Sequence, residues 1–184
     1  MDKILIKNFL TEKQRKTLLK EVKLFLVDCN KEFPEQAKKG RFPGLQTGPS
    51  MHQEPSFQWY HTHLLNTLYK KLNIYYEGEN VTRRLRINMS WGNWTNGKRR
   101  DVAWHTHSNF PYACVYYIQS FPLFSNGTWF EDGLFKAPQN SLLIFDGKDR
   151  HTAPPSPLRF GRYTMSSNLM KGLLSCYLKF DKGR

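Results

Sequence analysis

From Thr82 onward the chain breaks into short apolar and β-branched runs, each closed by Gly, Pro, Asn or Asp, and this rhythm narrows the possible folds more than any other feature. Arg84-Leu85-Arg86-Ile87-Asn88-Met89 alternates polar with apolar, as a strand buried on one face does. Further strand-like runs follow at Val102–His107, Tyr112–Gln119, Thr128–Phe130, Ser141–Phe145, Arg162–Leu169 and Leu173–Phe180. Many short strands with such even punctuation predict an antiparallel sandwich or barrel.

The first part of the chain has a different period. After a short β-branched run at residues 4–7, Thr11 and Gln14 stand at capping-box spacing. Leu18, Val22, Phe25, Leu26 and Cys29 then recur at helical spacing, with lysines on the opposite face. Gly40 to Ser50 is rich in glycine and proline and is expected to be a loop. A second helix is expected from about Ser56 to Leu72, with Trp59, His63, Leu64, Leu68 and Leu72 near one face. An α+β layout follows, with the N-terminal helices packed on one sheet of a β core. At 184 residues we expect one domain, residues 1–80 giving helical support and residues 81–184 the core.

The charge of +13, from 28 Lys+Arg against 15 Asp+Glu, is compatible with a polyanionic partner. The lysines are scattered, however (Lys13, Lys16, Lys20, Lys23, Lys38, Lys39, Lys70, Lys71), so a solvated surface is favoured over a nucleic-acid-binding face. Three cysteines in no paired spacing suggest neither a disulfide framework nor a Cys-x-x-Cys metal site. No apolar run is long enough to cross a bilayer and residues 1–7 lack a signal-peptide core, so a cytoplasmic protein is expected.

Two copies of His-Thr-His test how much the tripeptide means. In the expected second helix, His61 and His63 lie about 200° apart around the axis and cannot face one metal ion. His61 reads as surface and His63 as a polar edge of the core. In an extended strand, by contrast, His105 and His107 point to the same face and can bind one ion together. His151 follows the apolar run Leu142-Leu143-Ile144-Phe145 and the turn Asp146-Gly147-Lys148, where it can complete a facial set. Arg162 opens the next strand pattern, and its guanidinium suits a bidentate pair with a carboxylate. Thr164 shares its face at i+2. Arg159 competes with Arg162, but it lies in a segment full of turn residues.

These pieces bring a family into view. WHTHSN, ACVYYIQ, NGTWF, SLLIFDGKDRHTAPP and RYTMSSN come in one order between Trp91 and Leu169, a little under half the chain. In that order they resemble the iron(II)- and 2-oxoglutarate-dependent oxygenases, particularly the prolyl-hydroxylase-like branch and its phage and bacterial relatives. ILIKNFLTEKQ looks like the family's opening strand and helix. The resemblance implies a double-stranded β-helix of jelly-roll or cupin-like form with an iron site at its open end. His105 and His151 would match the metal histidines, Arg162 the arginine holding the far carboxylate of 2-oxoglutarate, and Tyr117 a tyrosine bonding that same carboxylate. It further implies molecular oxygen as a reactant, ascorbate as reductant, succinate and CO2 as products, and hydroxylation of a substrate, with a peptidyl side chain such as proline as first guess.

One residue departs from the pattern. The family usually carries His-x-Asp, the 2-His-1-carboxylate triad, and here His107 stands where Asp is expected. Three neutral imidazoles leave the site one unit more positive. A carboxylate from Asp101, Asp132 or Asp149 is the alternative third ligand. Two other readings stay open: a cupin-like metal protein that does not use 2-oxoglutarate, and a basic nucleic-acid-binding module. The loop Gly40–Thr47 and the segment Trp91–Arg100 are expected to border the pocket, with Trp94 and Trp104 as its walls.

Overall fold

The computed structural model describes residues 2–32, 45–72, 84–95, 103–120, 127–153 and 161–172. The first helix, α1 (Glu12–Glu32), starts on the expected capping box. The Gln14 amide N–H donates to Thr11 Oγ1 at 3.3 Å, and the Thr11 N–H donates to Gln14 Oε1 at 3.0 Å. Two of the helix's orphan donors are thereby satisfied. A second helix, α2 (Gln58–Lys71), follows the 3-10 turns Met51–Gln53 and Pro55–Phe57. Its buried stripe is Tyr60, His61, Leu64 and Leu68, whereas Trp59, His63 and Leu72 are only half-buried. The stripe is rotated from the expected one, and His61, expected at the surface, is only 4% exposed.

The strands are β1 (Ile4–Lys7), β2 (Leu45–Gln46), β3 (Arg84–Thr95), β4 (Tyr112–Gln119), β5 (Gly127–Phe130), β6 (Gly133–Lys136), β7 (Ser141–Asp146), β8 (His151–Thr152) and β9 (Arg162–Gly172). They form a six-stranded sheet in the order β1-β7-β4-β9-β3-β2 and a three-stranded sheet in the order β6-β5-β8. Every paired strand runs antiparallel. Part of the expected loop is thus strand β2, which pairs Leu45 and Gln46 with Trp94 and Asn93. β6 was not expected, and the run expected at Leu173–Phe180 lies outside the described residues.

The larger sheet is covered on both faces, and the strand period of two sorts its side chains. Cys114, Tyr116 and Ile118 of β4 and Leu142 and Ile144 of β7 join Leu18, Val22, Leu26, Leu64 and Leu68 in one core beneath the helices. Ala113, Tyr117, Leu143 and Phe145 face the other way and pack with Phe130 of β5. Covering both faces explains why Ser141–Phe145 reads as a continuous apolar run rather than an alternation. Each fully buried leucine contributes roughly 1.5–3 kcal/mol through the area it removes from water.

β3 carries a register shift between Ile87 and Met89. Such a bulge exchanges the faces of everything beyond it. Ile87 packs toward the helices, whereas Met89, Trp91, Asn93 and Thr95 line a cavity on the opposite face. Trp94, expected to wall the pocket, packs into the helix-side core against Tyr163 instead. Trp104, the other expected wall, is 41% exposed and lines a separate surface groove with Trp129 and Arg150. No helix among the described residues is long and apolar enough to cross a membrane.

Candidate functional site

Residues 103–107 are not a laddered strand, contrary to expectation, yet they present the two histidines as a strand would. His105 makes an isolated antiparallel bridge to His151, donating to its carbonyl at 3.0 Å and accepting from its N–H at 2.9 Å. Two residues on, the His107 N–H donates to the Gly147 carbonyl at 2.7 Å. Pinning at alternate residues keeps the backbone extended, so both side chains fall on one side. The close approach requires glycine at 147, because a Cβ there would collide with the carbonyl oxygens of Phe110 and His107.

His105, His107 and His151 meet as a cluster whose candidate ligand atoms all lie within 4.8 Å of one another. Ring centroids stand 5.0 Å apart for His105 and His107, 4.4 Å for His105 and His151, and 5.1 Å for His107 and His151. Phe145 and Phe130 pack on His151, and Trp91 lies 5.9 Å from His107. Burial, aided by the neighbouring imidazoles, lowers the pKa of His107 to about 4, and burial lowers that of His151 likewise to about 4. Both rings are therefore neutral at pH 7, the form that binds metal.

The second nitrogens are anchored. Nδ1 of His105 lies 2.8 Å from the Ala103 carbonyl, and Nδ1 of His151 lies 2.8 Å from the Asp149 carbonyl. A carbonyl only accepts, so both rings carry hydrogen on Nδ1 and turn the lone pair of Nε2 inward. That is the usual arrangement around a bound metal. Among the described residues the cluster holds no carboxylate. Of the alternatives, Asp132 pairs with Lys3 at 2.7 Å, Asp149 offers its backbone carbonyl to His151, and Asp101 lies outside the described residues.

The histidines open onto a cavity of about 440 Å³, whose lining includes Gln46, Trp91, Asn93, Tyr117, Thr128, Arg162, Thr164 and Asn168. From the two segments expected to border it, Gln46 and then Trp91, Asn93 and Thr95 line it. β9 sends alternate residues in: Arg162, Thr164, Ser166 and Asn168 line the cavity, whereas Met165 and Leu169 face the helices. Arg162 is 5% exposed and donates through Nη1 to the Gly127 carbonyl at 2.9 Å, but its Nε–H has no partner. No carboxylate among the described residues pairs with it. Burial lowers its pKa, yet a guanidinium keeps its proton near neutrality. A buried cation with an unused donor is costly unless a ligand supplies the missing anion.

Tyr117 and Thr164 flank this arginine. The guanidinium carbon lies 6.0 Å from the Tyr117 ring centroid, and the Tyr117 hydroxyl bonds Thr128 Oγ1 at 2.6 Å. Burial raises the Tyr117 pKa, and the nearby guanidinium partly offsets it. Asn93 Nδ2 donates to Thr164 Oγ1 at 3.3 Å. The structure thus gathers all six sequence-derived candidates in one place, while Arg159 lies outside the described residues. Thr128 and Asn168 were missed. Counting alternate residues beyond Thr164 finds Asn168; Thr128 becomes visible only through strand pairing.

The other His-Thr-His makes no such cluster. His61 Nε2 lies 3.0 Å from Ser90 Oγ, while His63 Nε2 reaches the Phe9 carbonyl at 3.0 Å.

No protein-family model matches the sequence, and no curated protein sequence matches it. Solved structures do resemble the fold. A truncated form of the viral collagen prolyl hydroxylase from Paramecium bursaria Chlorella virus-1 superposes with a TM-score of 0.59 at 11% identity, covering 93% of this chain and 90% of that one. A Pseudomonas putida prolyl-4-hydroxylase gives 0.57 at 12% identity, covering 91% of each chain. The non-heme α-ketoglutarate-dependent epimerase of nogalamycin biosynthesis gives 0.63 at 11% identity, covering 91% of this chain and 77% of that one. The chain shares the fold of these three proteins.

Proposed function

We propose that this protein is an Fe(II)- and 2-oxoglutarate-dependent oxygenase whose metal is held by His105, His107 and His151, with Arg162 as the anchor of the cosubstrate. The observation that carries this reading is the meeting of two complementary donor sets in one cavity. Three clustered imidazoles suit a divalent cation, and a buried guanidinium with an unpartnered Nε–H suits an anion. A dicarboxylate that reaches both answers both. A plain cupin-like metal protein would leave Arg162 buried and unpaired for no purpose. The two sheets are read as the halves of a double-stranded β-helix, with the histidine cluster at its open end.

When bound, the Fe(II) couples oxygen activation to decarboxylation of 2-oxoglutarate. The chain's own residues supply position and exclusion. His105 and His151 are held by carbonyl acceptors that fix the tautomer offering Nε2. Arg162 would hold the far carboxylate of the cosubstrate, with the Thr164 hydroxyl beside it, and Tyr117 closes the inner wall with its ring and its hydroxyl. Phe145 and Phe130 keep water from His151. The product partners of the cosubstrate are succinate and CO2, and ascorbate serves as reductant. For the substrate we propose a peptidyl side chain such as proline, in keeping with the prolyl hydroxylases among the structural neighbours.

The test supplies purified protein with Fe(II), ascorbate, oxygen and 2-oxoglutarate and measures succinate, with and without proline-containing peptides. Succinate release that chelator abolishes supports the reading. Folded protein that binds iron but never turns over 2-oxoglutarate overturns it in favour of a metal cupin. A peptide that raises succinate yield and gains one oxygen in mass identifies the substrate class.

A further inference from the structure

His107 is the one member of the histidine cluster whose second nitrogen meets a side chain instead of a backbone carbonyl. Its Nδ1 lies 3.3 Å from the amide of Asn168, which is 3% exposed and lines the same cavity. As placed, Asn168 Nδ2 faces His107 and Oδ1 has no partner. The two ends of an amide differ only by a half-turn about Cβ–Cγ, and the hydrogen-bond network must decide between them. Oδ1 has no partner of its own, so the contact with His107 is what distinguishes the two orientations. An NH2 facing Nδ1 demands hydrogen on Nε2, which blocks the nitrogen that should face the ion. An Oδ1 facing Nδ1 demands hydrogen on Nδ1 and frees Nε2, matching His105 and His151.

We infer that Asn168 is a positioning residue for His107: its side-chain carbonyl accepts the Nδ1–H and holds the ring in the metal-binding tautomer. The inference rests on the metal-centre reading above. A carboxylate at position 107 would need no such partner, since it has no tautomer to choose. An imidazole there does, and Asn168 supplies it from β9, on the cavity-facing side that carries Arg162 and Thr164. His107 is then the ligand whose readiness depends on a replaceable side chain.

Three proteins test this: wild type, Asn168→Leu, which removes both polar atoms, and Asn168→Asp, which keeps only acceptors. Co(II) affinity is measured by calorimetric titration at fixed pH, with circular dichroism as a check on folding. Losing an outer-shell partner typically costs roughly 10- to 100-fold in metal affinity. Asn168→Leu should show a loss of that size, and Asn168→Asp should recover wild-type affinity or exceed it. A merely structural role would not be rescued by an acceptor-only side chain. Independently, long-range 1H–15N spectra of Zn(II)-loaded wild type should show His107 carrying hydrogen on Nδ1. That reading stands even if the leucine variant fails to fold. The inference is overturned if folded Asn168→Leu binds Co(II) like wild type, if folded Asn168→Asp does not recover, or if His107 carries its hydrogen on Nε2. Wild-type protein that binds neither ion overturns the metal centre itself, and this inference with it.

Discussion

Replacing Arg162 with Met should weaken 2-oxoglutarate binding while leaving the metal-free fold as stable as before, or more so. The two effects have opposite signs because the guanidinium is buried without an anion. A hydrogen bond to a charged group contributes roughly 1.5–3 kcal/mol, so two such bonds to a carboxylate are worth about 3–6 kcal/mol. At about 1.4 kcal/mol per decade, the expected loss of affinity is about two to four orders of magnitude. On the stability side, an unpaired ion in the interior carries a desolvation penalty of several kcal/mol, which Met removes. Met also forfeits the bond to the Gly127 carbonyl, at a cost of about 1–3 kcal/mol. The net change runs from about zero to about 2 kcal/mol in favour of the variant. For a chain of this size each kcal/mol moves Tm by about 2–4 °C. Titration calorimetry of 2-oxoglutarate into Mn(II)-loaded protein under nitrogen reads the first effect, and thermal melts of metal-free protein read the second. At 100-fold excess over the wild-type Kd, the ligand should also stabilise wild type by about 2.7 kcal/mol and the variant by no more than about 0.4 kcal/mol. A variant that binds 2-oxoglutarate normally, or that loses more than about 2 kcal/mol of stability, would show that Arg162 serves the fold and not a ligand.

Three further outcomes are expected. Gly147→Ala alters no histidine side chain, yet its Cβ would push against the carbonyls of His107 and Phe110, so Co(II) affinity should fall by at least about tenfold, the scale of an outer-shell change; unchanged affinity would mean the His107 backbone is not held there. Single alanine replacements of His105, His107 and His151 should each lower Co(II) affinity by more than about a hundredfold, beyond that same scale; if His107→Ala binds like wild type, the third ligand is elsewhere. The metal-free protein should lose stability as pH falls from about 6.5 to about 4, because His61, His107 and His151 have folded pKa values near 4, below the ordinary 6.5. The unfolded chain takes up those protons first, so their contribution is whole above the ordinary pKa and is lost on acidification. Urea titrations across that window check the sign, and a stability that stays flat or grows toward pH 4 refutes it.

How far the site was legible depended on whether its geometry is local. The same-face relation of Arg162 and Thr164, and its extension to Ser166 and Asn168, follows from strand period alone. That of His105 and His107 does too, even though the segment is pinned to Gly147 and His151 instead of being laddered. Non-local packing defeated the rest. His61 reads as surface because its helix neighbours do not reveal that Ser90 stands opposite with a hydroxyl to receive it. Trp94 was assigned to the wrong face because Leu85, Ile87 and Met89 look like one uninterrupted alternation, and the bulge after Ile87 reverses it. β6 is missing from the sequence reading because Gly133-Leu134-Phe135-Lys136 follows the turn at Glu131 and Asp132 and is too short to show a period; its pairing with β5 makes it a strand.

In the proposed metal centre, an imidazole at position 107 where a carboxylate is usual is best understood through the charge of the whole cavity. Among the described residues lining it, Arg162 is the one lysine, arginine, aspartate or glutamate. A divalent ion, three neutral imidazoles and one guanidinium sum to three positive charges, and a dicarboxylate leaves one. With a carboxylate at position 107 the same complex would be neutral. Water normally absorbs such a residue of charge, but here the lining offers neutral dipoles: Asn93, Asn109, Gln46 and the hydroxyls of Thr164 and Ser166. The extra charge acts where shielding is weak, so it strengthens the hold on any dianion, cosubstrate and succinate alike. The inferred orientation of Asn168, oxygen end against His107, fits the same balance. A carbonyl dipole aimed at the imidazole N–H makes Nε2 more basic and returns to the ion part of the electron density that a carboxylate would have given. In the proposed centre, His107 and Asn168 together, placed by two different segments of the chain, would do the work that one aspartate does in the usual triad.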